Sequence, residues 1–433
     1  MTNKQLEDWL ARISAMHPSE IELGLERISE VWAQLKPEGA IARRVVTYAG
    51  TNGKGSTLAM TERLLRDAGL HVCAYTSPHI LRFTERLRVD GLESEAQAWV
   101  HAFERVETAR AGTPLTYFEF TTLAALDIIA SLQPDVALLE VGLGGRLDAV
   151  NIIDPDVAVI TPIDLDHADW LGEDREAIGR EKAGILRPGI PLVLSDPQPP
   201  ESVLETARQL QCQVYALGRD HRILMEAGKP PVWTGSLEPA GGPVLHRTLD
   251  DMSTCVLPAE NVSAAMQVGA LLGVLPEDEG KSLAPWHHLP LRGRLERLSA
   301  APEILVDVGH NPHAARYLHR WLCEHPVQGR THAIFSALED KDIESVVDAM
   351  RSVIDVWHVA SLDVPRAAAI DRLEGAVSSR SGQTPRRHET VRQAVCQLLP
   401  QLDKTDRLLI FGSFYTVSEA LPVLQKPGLA AWE

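Results

Sequence analysis

No stretch of this 433-residue sequence approaches the ~20 consecutive apolar residues that a membrane-spanning helix needs. Its opening, Met1-Thr2-Asn3-Lys4-Gln5-Leu6-Glu7-Asp8, lacks the apolar core of a secretion signal. Cysteine is scarce. Cys73, Cys212, Cys255, Cys323 and Cys396 are scattered, odd in number, and show neither zinc-site spacing nor an obvious pairing. These absences lead to the expectation of a cytoplasmic protein in a reducing compartment, with no membrane partner. A basic excess is missing too: the net charge of −17 argues against a nucleic-acid partner and leaves room only for a local basic pocket. There is no short-period repeat and no low-complexity segment. What remains is a globular composition, 45% apolar, over a chain longer than one core usually serves, so two domains are expected and three are allowed.

The order of elements points to an α/β fold. Residues 3–36 carry helical periodicity, with Leu6, Trp9, Leu10 and Ile13 on one face. Short apolar runs follow at 45–48, 72–75, 136–141, 157–161 and 192–194. Such continuous runs suit strands buried on both faces, so a parallel sheet covered by helices is expected. A helix is expected over 94–110. Residues 116–120 read as a loop leading into an apolar helix at 123–132. Residues 219–257, rich in glycine and proline, read as an antiparallel patch, and helix returns over 260–275. Residues 286–294 hold proline, glycine and little periodicity, which sets the domains at 1–288 and 297–433 with a linker at 289–296. Strands at 304–308, 332–336, 356–360 and 408–411 then repeat the alternation, with a helix starting at Asn311-Pro312.

The most telling stretch is Val45-Val46-Thr47-Tyr48-Ala49-Gly50-Thr51-Asn52-Gly53-Lys54-Gly55-Ser56-Thr57. It reads as a buried strand, a glycine-rich turn and a helix opened by Ser56 and Thr57. Gly50, Gly53 and Gly55 allow positive φ and close approach of amides to a ligand. Amides at a helix start beside the Lys54 ammonium make a phosphate cradle. The strict phosphate-loop consensus is absent, because Tyr48 stands where its first glycine belongs and Gly55 separates Lys54 from the hydroxyl residues. A glycine-rich surface turn with a solvated lysine is the plainer alternative.

Other candidates sit at expected strand ends, where ligands of such sheets collect. Glu140, before Gly142-Leu143-Gly144-Gly145-Arg146-Leu147-Asp148, suits a Mg²⁺ ligand or a turn cap equally well. His167 lies among Asp164, Asp166 and Asp169, which can fix its tautomer or merely form a polar loop. Lys182, in Arg180-Glu181-Lys182-Ala183-Gly184, reads by itself as a helix-surface lysine. Asp307 can hold ribose hydroxyls, Asn311 can cap a helix, and Arg294 can reach a phosphate when domains close.

Taken in order, Gly50-Thr51-Asn52-Gly53-Lys54-Gly55-Ser56, Ser77-Pro78-His79, Leu139 to Asp148, Asp166-His167, Arg180 to Gly184 and His310-Asn311-Pro312 resemble the folylpolyglutamate synthase/dihydrofolate synthase family of the Mur ligase superfamily. The resemblance spans nearly the whole chain. Gly55 between Lys54 and Ser56 resembles the folate branch rather than the cell-wall branch. The resemblance implies an N-terminal phosphate-loop ATPase-like domain, its mostly parallel sheet joined by a small antiparallel patch, and a C-terminal Rossmann-like α/β domain. It implies that Lys54 and the loop from Gly50 to Thr57 bind the phosphates of ATP. Ser77 and Glu140 would ligate one Mg²⁺, and His167 with a carbamylated Lys182 would serve a second, with K⁺ a further candidate. Asn261 would lie on the adenine side, Asp307 at the ribose and Arg294 at the γ-phosphate. His310 and Ser413 would meet the incoming glutamate. Pro78, His79, Arg82, Thr116 and Phe118 would line the pterin pocket.

The implied reaction is an ADP-forming ligation of L-glutamate to dihydropteroate and to reduced folates through an acyl phosphate, by a monomer of the bacterial bifunctional form. An enzyme restricted to folylpolyglutamate synthesis, a cell-wall peptide ligase and a non-ligase ATPase switch are the alternatives.

Overall fold

The computed structural model describes residues 2–16, 22–35, 39–166, 168–172, 174–226, 228–239, 243–252, 255–276, 282–287, 289 and 291–425. The chain forms two compact units, Met1–Pro290 and Leu291–Glu433. Among the described residues no helix is long and apolar enough to cross a membrane, and no disulfide joins the cysteines.

The first unit is built on an eight-stranded sheet. Its strands are β1 (Arg44–Ala49), β2 (Val72–Tyr75), β3 (Leu87–Val89), β4 (Leu92–Glu93), β5 (Val136–Glu140), β6 (Val157–Ile160), β7 (Pro191–Leu194) and β8 (Gln213–Ala216). The order is β4-β3-β2-β5-β1-β6-β7-β8. All neighbours from β2 to β8 run parallel, and only β3 and β4 are antiparallel additions. β1 is central and buried from Val45 to Ala49. Its Val46 and Tyr48 pack with Leu58 and Leu65 of the helix Lys54–Asp67 and with Val268 of the helix Ala259–Leu271. Its Val45 faces the opposite core, shared with the helices Ala96–Arg110 and Tyr117–Leu132. Because β1, β2, β5 and β6 are parallel, Gly50, Thr76, Val141 and Thr161 emerge from one edge.

The expected antiparallel patch is a three-stranded sheet, β9 (His221–Leu224), β10 (Val232–Ser236) and β11 (Val244–Thr248). It is pinned to the helix Ala259–Leu271. Trp233 Nε1 donates to the Ser263 carbonyl at 3.1 Å, and Gln267 Nε2 donates to that of Ser236 at 2.6 Å. That helix ends at Leu271, short of the expected 275.

The helical pattern expected over 3–36 is carried by two helices, Thr2–Ser14 and Glu26–Leu35, with residues 17–21 outside the described set. Residues 116–120 are not a loop: Thr116 caps the helix Tyr117–Leu132, and Phe118 lies in its first turn. The reason is a reciprocal capping box. Glu119 N donates to Thr116 Oγ1 at 3.3 Å, and Thr116 N donates to Glu119 Oε2 at 2.8 Å. Replacing Thr116 with Ala should lower stability by about 1–2 kcal/mol in urea unfolding.

The second unit carries a six-stranded sheet of β12 (Glu296–Ala300), β13 (Glu303–Asp307), β14 (Thr331–Phe335), β15 (Val356–Ala360), β16 (Arg386–His388) and β17 (Arg407–Phe411), ordered β12-β13-β17-β14-β15-β16. Only β12 is antiparallel to its neighbour. His332, His358 and His388 step across β14, β15 and β16. His358 Nδ1 lies 2.9 Å from His388 Nε2, and His388 Nδ1 lies 3.1 Å from Gln397 Oε1. Donation to the Gln397 oxygen leaves His388 Nε2 to accept from His358. Burial first, then His388, His332 and Arg386, push the His358 ring down to about 3. Burial also lowers His332, with Asp406 and Asp355 opposing and Arg386 and Arg330 reinforcing, and it lowers His388. An unfolded histidine titrates near 6.5, so the folded chain binds fewer protons below that pH. The contribution of neutral His358 is present above about pH 6.5 and is lost as pH falls toward about 3. The melting temperature should therefore drop more between about pH 7.5 and about pH 5 in the wild type than in His358→Gln. Equal slopes would contradict this.

Candidate active site

The loop after β1 is shaped by two glycines. Gly50 has φ 148°, and a side chain there would collide with the Thr161 hydroxyl. Gly53 has φ 89°, and a Cβ there would lie 2.8 Å from both polar side-chain atoms of Asn261. Asn261 is thus brought against the loop itself. The left-handed Gly53 caps the helix, which begins at Lys54 rather than at Ser56 and Thr57 as expected. Gly55 is in the first helical turn and has no positive φ, correcting that expectation. The Thr57 hydroxyl donates back to the Gly53 carbonyl at 2.9 Å. The amides of Thr51 and Asn52 also differ from the expected cradle. They donate to the Pro162 carbonyl at 3.0 and 3.3 Å, tying the loop to the end of β6. The amides whose position suits an anion are therefore those that open the helix, from Lys54 to Ser56.

Two lysines meet at this turn. Lys54 Nζ donates to the Gly50 carbonyl at 3.0 Å and approaches that of Thr51 at 3.4 Å. Lys182 Nζ donates to the same Gly50 carbonyl at 2.9 Å. Lys182 is no surface lysine: it is 3% exposed. Burial, and then the charge of Lys54, bring its ammonium down to about 7, with Asp166, Asp148 and Glu181 opposing. It comes from the helix Arg175–Ala183, whose cap Asp174 accepts from the Ala177 amide at 2.7 Å. Gly145 admits that helix, since a Cβ there would lie 2.7 Å from the Glu181 carbonyl oxygen.

Glu140 ends β5 and is buried, with Oε2 accepting from the Ser77 amide at 3.1 Å. The site of an added Gly55 Cβ would lie 3.5 Å from both Glu140 oxygens, so the phosphate-loop helix faces this carboxylate with bare backbone. A carboxylate and a serine hydroxyl are hard oxygen donors. They fit a small divalent cation that takes its remaining ligands from phosphates and water. Among the described residues no group of three or more His, Cys, Asp or Glu is arranged to hold a metal. His167 lies outside the described residues.

Beside these groups is a cavity of about 220 Å³ whose wall includes Ser77, Pro78, Thr116, Phe118, Arg86 and Asp148. The Phe118 ring lies on Gly142, where an added Cβ would be 2.6 Å from its Cζ. Arg86 holds its guanidinium over the rings of Phe83 and Tyr117, at 5.5 and 5.6 Å. Its Nε donates to His79 Nδ1 at 3.0 Å. Burial and then Arg86 lower His79 to about 4, so that ring is neutral. Arg82 is not part of the wall; it pairs with Glu93, Nε to Oε2 at 3.0 Å.

Asp148 is a buried acid of the site that residue type and spacing alone do not single out. Its Oδ2 accepts from the amides of Gly142 and Leu143 at 3.0 and 2.8 Å, and its Oδ1 from that of Val150 at 3.0 Å. Burial still raises it to about 6. Its place at the end of the glycine-rich turn was the available signal.

In the second unit, Asp307 ends β13. Its Oδ1 accepts from the Gly309 amide at 2.6 Å and its Oδ2 from that of Leu295 at 2.8 Å. Burial raises its pKa, with Arg294 the leading opposing charge. The Arg294 guanidinium lies 5.3 Å from the Phe414 ring centre, and His310 Nδ1 donates to the Val308 carbonyl at 2.9 Å. Asn311 caps the helix Pro312–Glu324, as its position suggested. Ser413 likewise caps a helix, Phe414–Leu424, accepting from the Thr416 amide at 3.0 Å.

Comparison with known proteins accounts for both units. A family model described as Mur ligase middle domain matches residues 48–227, and one described as Mur ligase, glutamate ligase domain matches 293–414. Dihydrofolate synthase/folylpolyglutamate synthase of Escherichia coli strain K12 is 38% identical, over 97% of this chain and 95% of that protein. The structure of E. coli FolC in complex with DHPP and ADP matches with a TM-score of 0.86 and 37% identity, covering 97% of each chain. A bifunctional folylpolyglutamate synthase/dihydrofolate synthase with Mn, AMPPNP and L-glutamate bound matches with a TM-score of 0.84 and 37% identity, covering 97% of this chain and 98% of that one. With both units matched and a relative this similar over nearly its whole length, this chain belongs to the dihydrofolate synthase/folylpolyglutamate synthase family of Mur ligases.

Proposed function

We propose that the protein is a bifunctional ligase that joins L-glutamate to dihydropteroate and to reduced folates, with cleavage of ATP to ADP and phosphate. The observation that carries this reading is the meeting of Lys54 and buried Lys182 on one carbonyl, beside Glu140 and a cavity floored by Phe118. The Lys54 ammonium and the helix-opening amides hold the ATP phosphates. The acceptor's carboxylate takes the γ-phosphoryl group as an acyl phosphate, and the amino group of glutamate then displaces phosphate to form the amide. Phe118 and Arg86 hold the pterin ring, one by its face and the other by its planar cation. Asn261 borders the nucleotide from beside Gly53. Arg294 and Asp307 serve ATP, and His310 and Ser413 serve glutamate.

Ser77 and Glu140 hold one divalent cation, Mg²⁺ in this reading, and His167 with Lys182 supports a second; K⁺ is a further candidate. When bound, these cations screen the two anions that must approach each other. Lys182, neutral above about pH 7, can add CO₂ to become a carbamate with an anionic oxygen pair. The protein is a cytosolic monomer in this proposal.

Release of ADP is expected only when acceptor and glutamate are both present, with dihydropteroate and a reduced folate each competent. Release without any acceptor would support an ATPase switch instead. Activity on the reduced folate alone would restrict the enzyme to polyglutamylation. Lys182→Ala should lose turnover by on the order of 100-fold, with partial recovery in short carboxylic acids. Undiminished wild-type turnover after prolonged removal of CO₂ and bicarbonate would count against the carbamate.

A further inference from the structure

The loop of residues 142–149 has two faces. Gly142, Leu143 and Leu147 wall the Phe118 cavity. Arg146, between them, instead walls an open hollow of about 510 Å³ together with Trp170 and Arg180. Arg146 is held in place by Glu181, whose Oε1 accepts from its Nε at 3.0 Å and its Nη2 at 2.8 Å. Its side chain remains 56% exposed. Trp170 is among the large apolar side chains left exposed, and Arg180 is exposed as well. On a chain of net charge −17, the hollow is lined by Arg146, Arg180 and an indole with one acid, Glu181, and so keeps a net positive lining.

We infer that this hollow receives the γ-linked glutamate tail of a folate substrate, an oligo-carboxylate. The inference rests on the folate-ligase reading. Each round adds one glutamate, and the new terminal carboxylate must return to Lys54 and Glu140. The tail already made must then lie elsewhere. The cavity at Phe118, about 220 Å³, is below the ~300 Å³ at which pockets begin to enclose a whole drug-sized ligand. Arg146 of the hollow is followed in the chain by Leu147 of the cavity, so the two are lined by adjacent residues of one loop. Arginine matches carboxylates through paired N–H donors. Glu181 already takes two N–H donors of Arg146, so Arg180 is the cation that a tail carboxylate meets, with the exposed side of Arg146 beside it.

The test uses Arg180→Glu in the full-length enzyme, with KM measured for dihydropteroate and for reduced folates carrying one and four glutamates. The KM for the long-tailed folate should rise roughly five- to tenfold, and Arg180→Lys should keep most of the wild-type value. The KM for dihydropteroate, which has no tail, should change by less than about twofold. The long-tail KM of the wild type should also rise with salt more steeply than that of Arg180→Glu. A KM that rises equally for all three substrates, or for none, overturns the tail site while leaving the ligase reading intact. A wild-type enzyme that elongates no folate would instead remove the reading on which the tail site rests.

Discussion

The carbonyl oxygen of Gly50 accepts from two lysines, Lys54 at 3.0 Å and Lys182 at 2.9 Å. Two like charges this close, one of them buried, cannot both persist at low cost, and the resolution is a lowered affinity of Lys182 for its proton. The arrangement depends on the turn. Gly50 must have no side chain because Thr161 occupies that space, and the amides of Thr51 and Asn52 are fastened to the Pro162 carbonyl. β1 and β6 are neighbours in the sheet, so strand pairing brings these parts together. A buried amine that is neutral near pH 7 is also a nucleophile, the property that carbamate formation requires.

The cavity depends on a different set of bonds. Glu119 serves the Thr116 amide and hydroxyl through Oε2, at 2.8 and 2.9 Å, and also accepts from Arg27 Nε. One buried carboxylate therefore starts the helix that carries Phe118 and ties it to the helix Glu26–Leu35. Gly142 leaves the space that the Phe118 ring fills. On its far wall Arg86 is stacked on two aromatic rings and bonded to a neutral His79, which restricts the directions its charge can take.

Some of this was legible in the residues. Continuous apolar runs identified the parallel strands because burial on both faces removes the polar alternation. The glycines around Lys54 marked a turn suited to phosphate, because few other functions need that much bare backbone beside a cation. The Thr116-x-x-Glu119 capping signal is equally local, and it places the helix start at Tyr117 where apolar periodicity alone starts it later. Asp148 and Arg86 were harder. Their roles come from three amides gathered by one turn and from two rings stacked under a guanidinium.

The sequence by itself determined the alternation of strands and helices, the glycine-rich turn between strand and helix at Lys54 and, through the order of its motifs, the resemblance to folate ligases. These are properties of neighbouring residues and of spacing along the chain. Only the tertiary structure decided that Lys182, on the chain's own evidence a surface lysine, lies buried on the carbonyl that Lys54 also binds. Those two residues are far apart in sequence, and β1 and the end of the helix Arg175–Ala183 meet through sheet pairing and the close approach at Gly145. Desolvation is a property of everything packed around a group, so no local pattern can encode it.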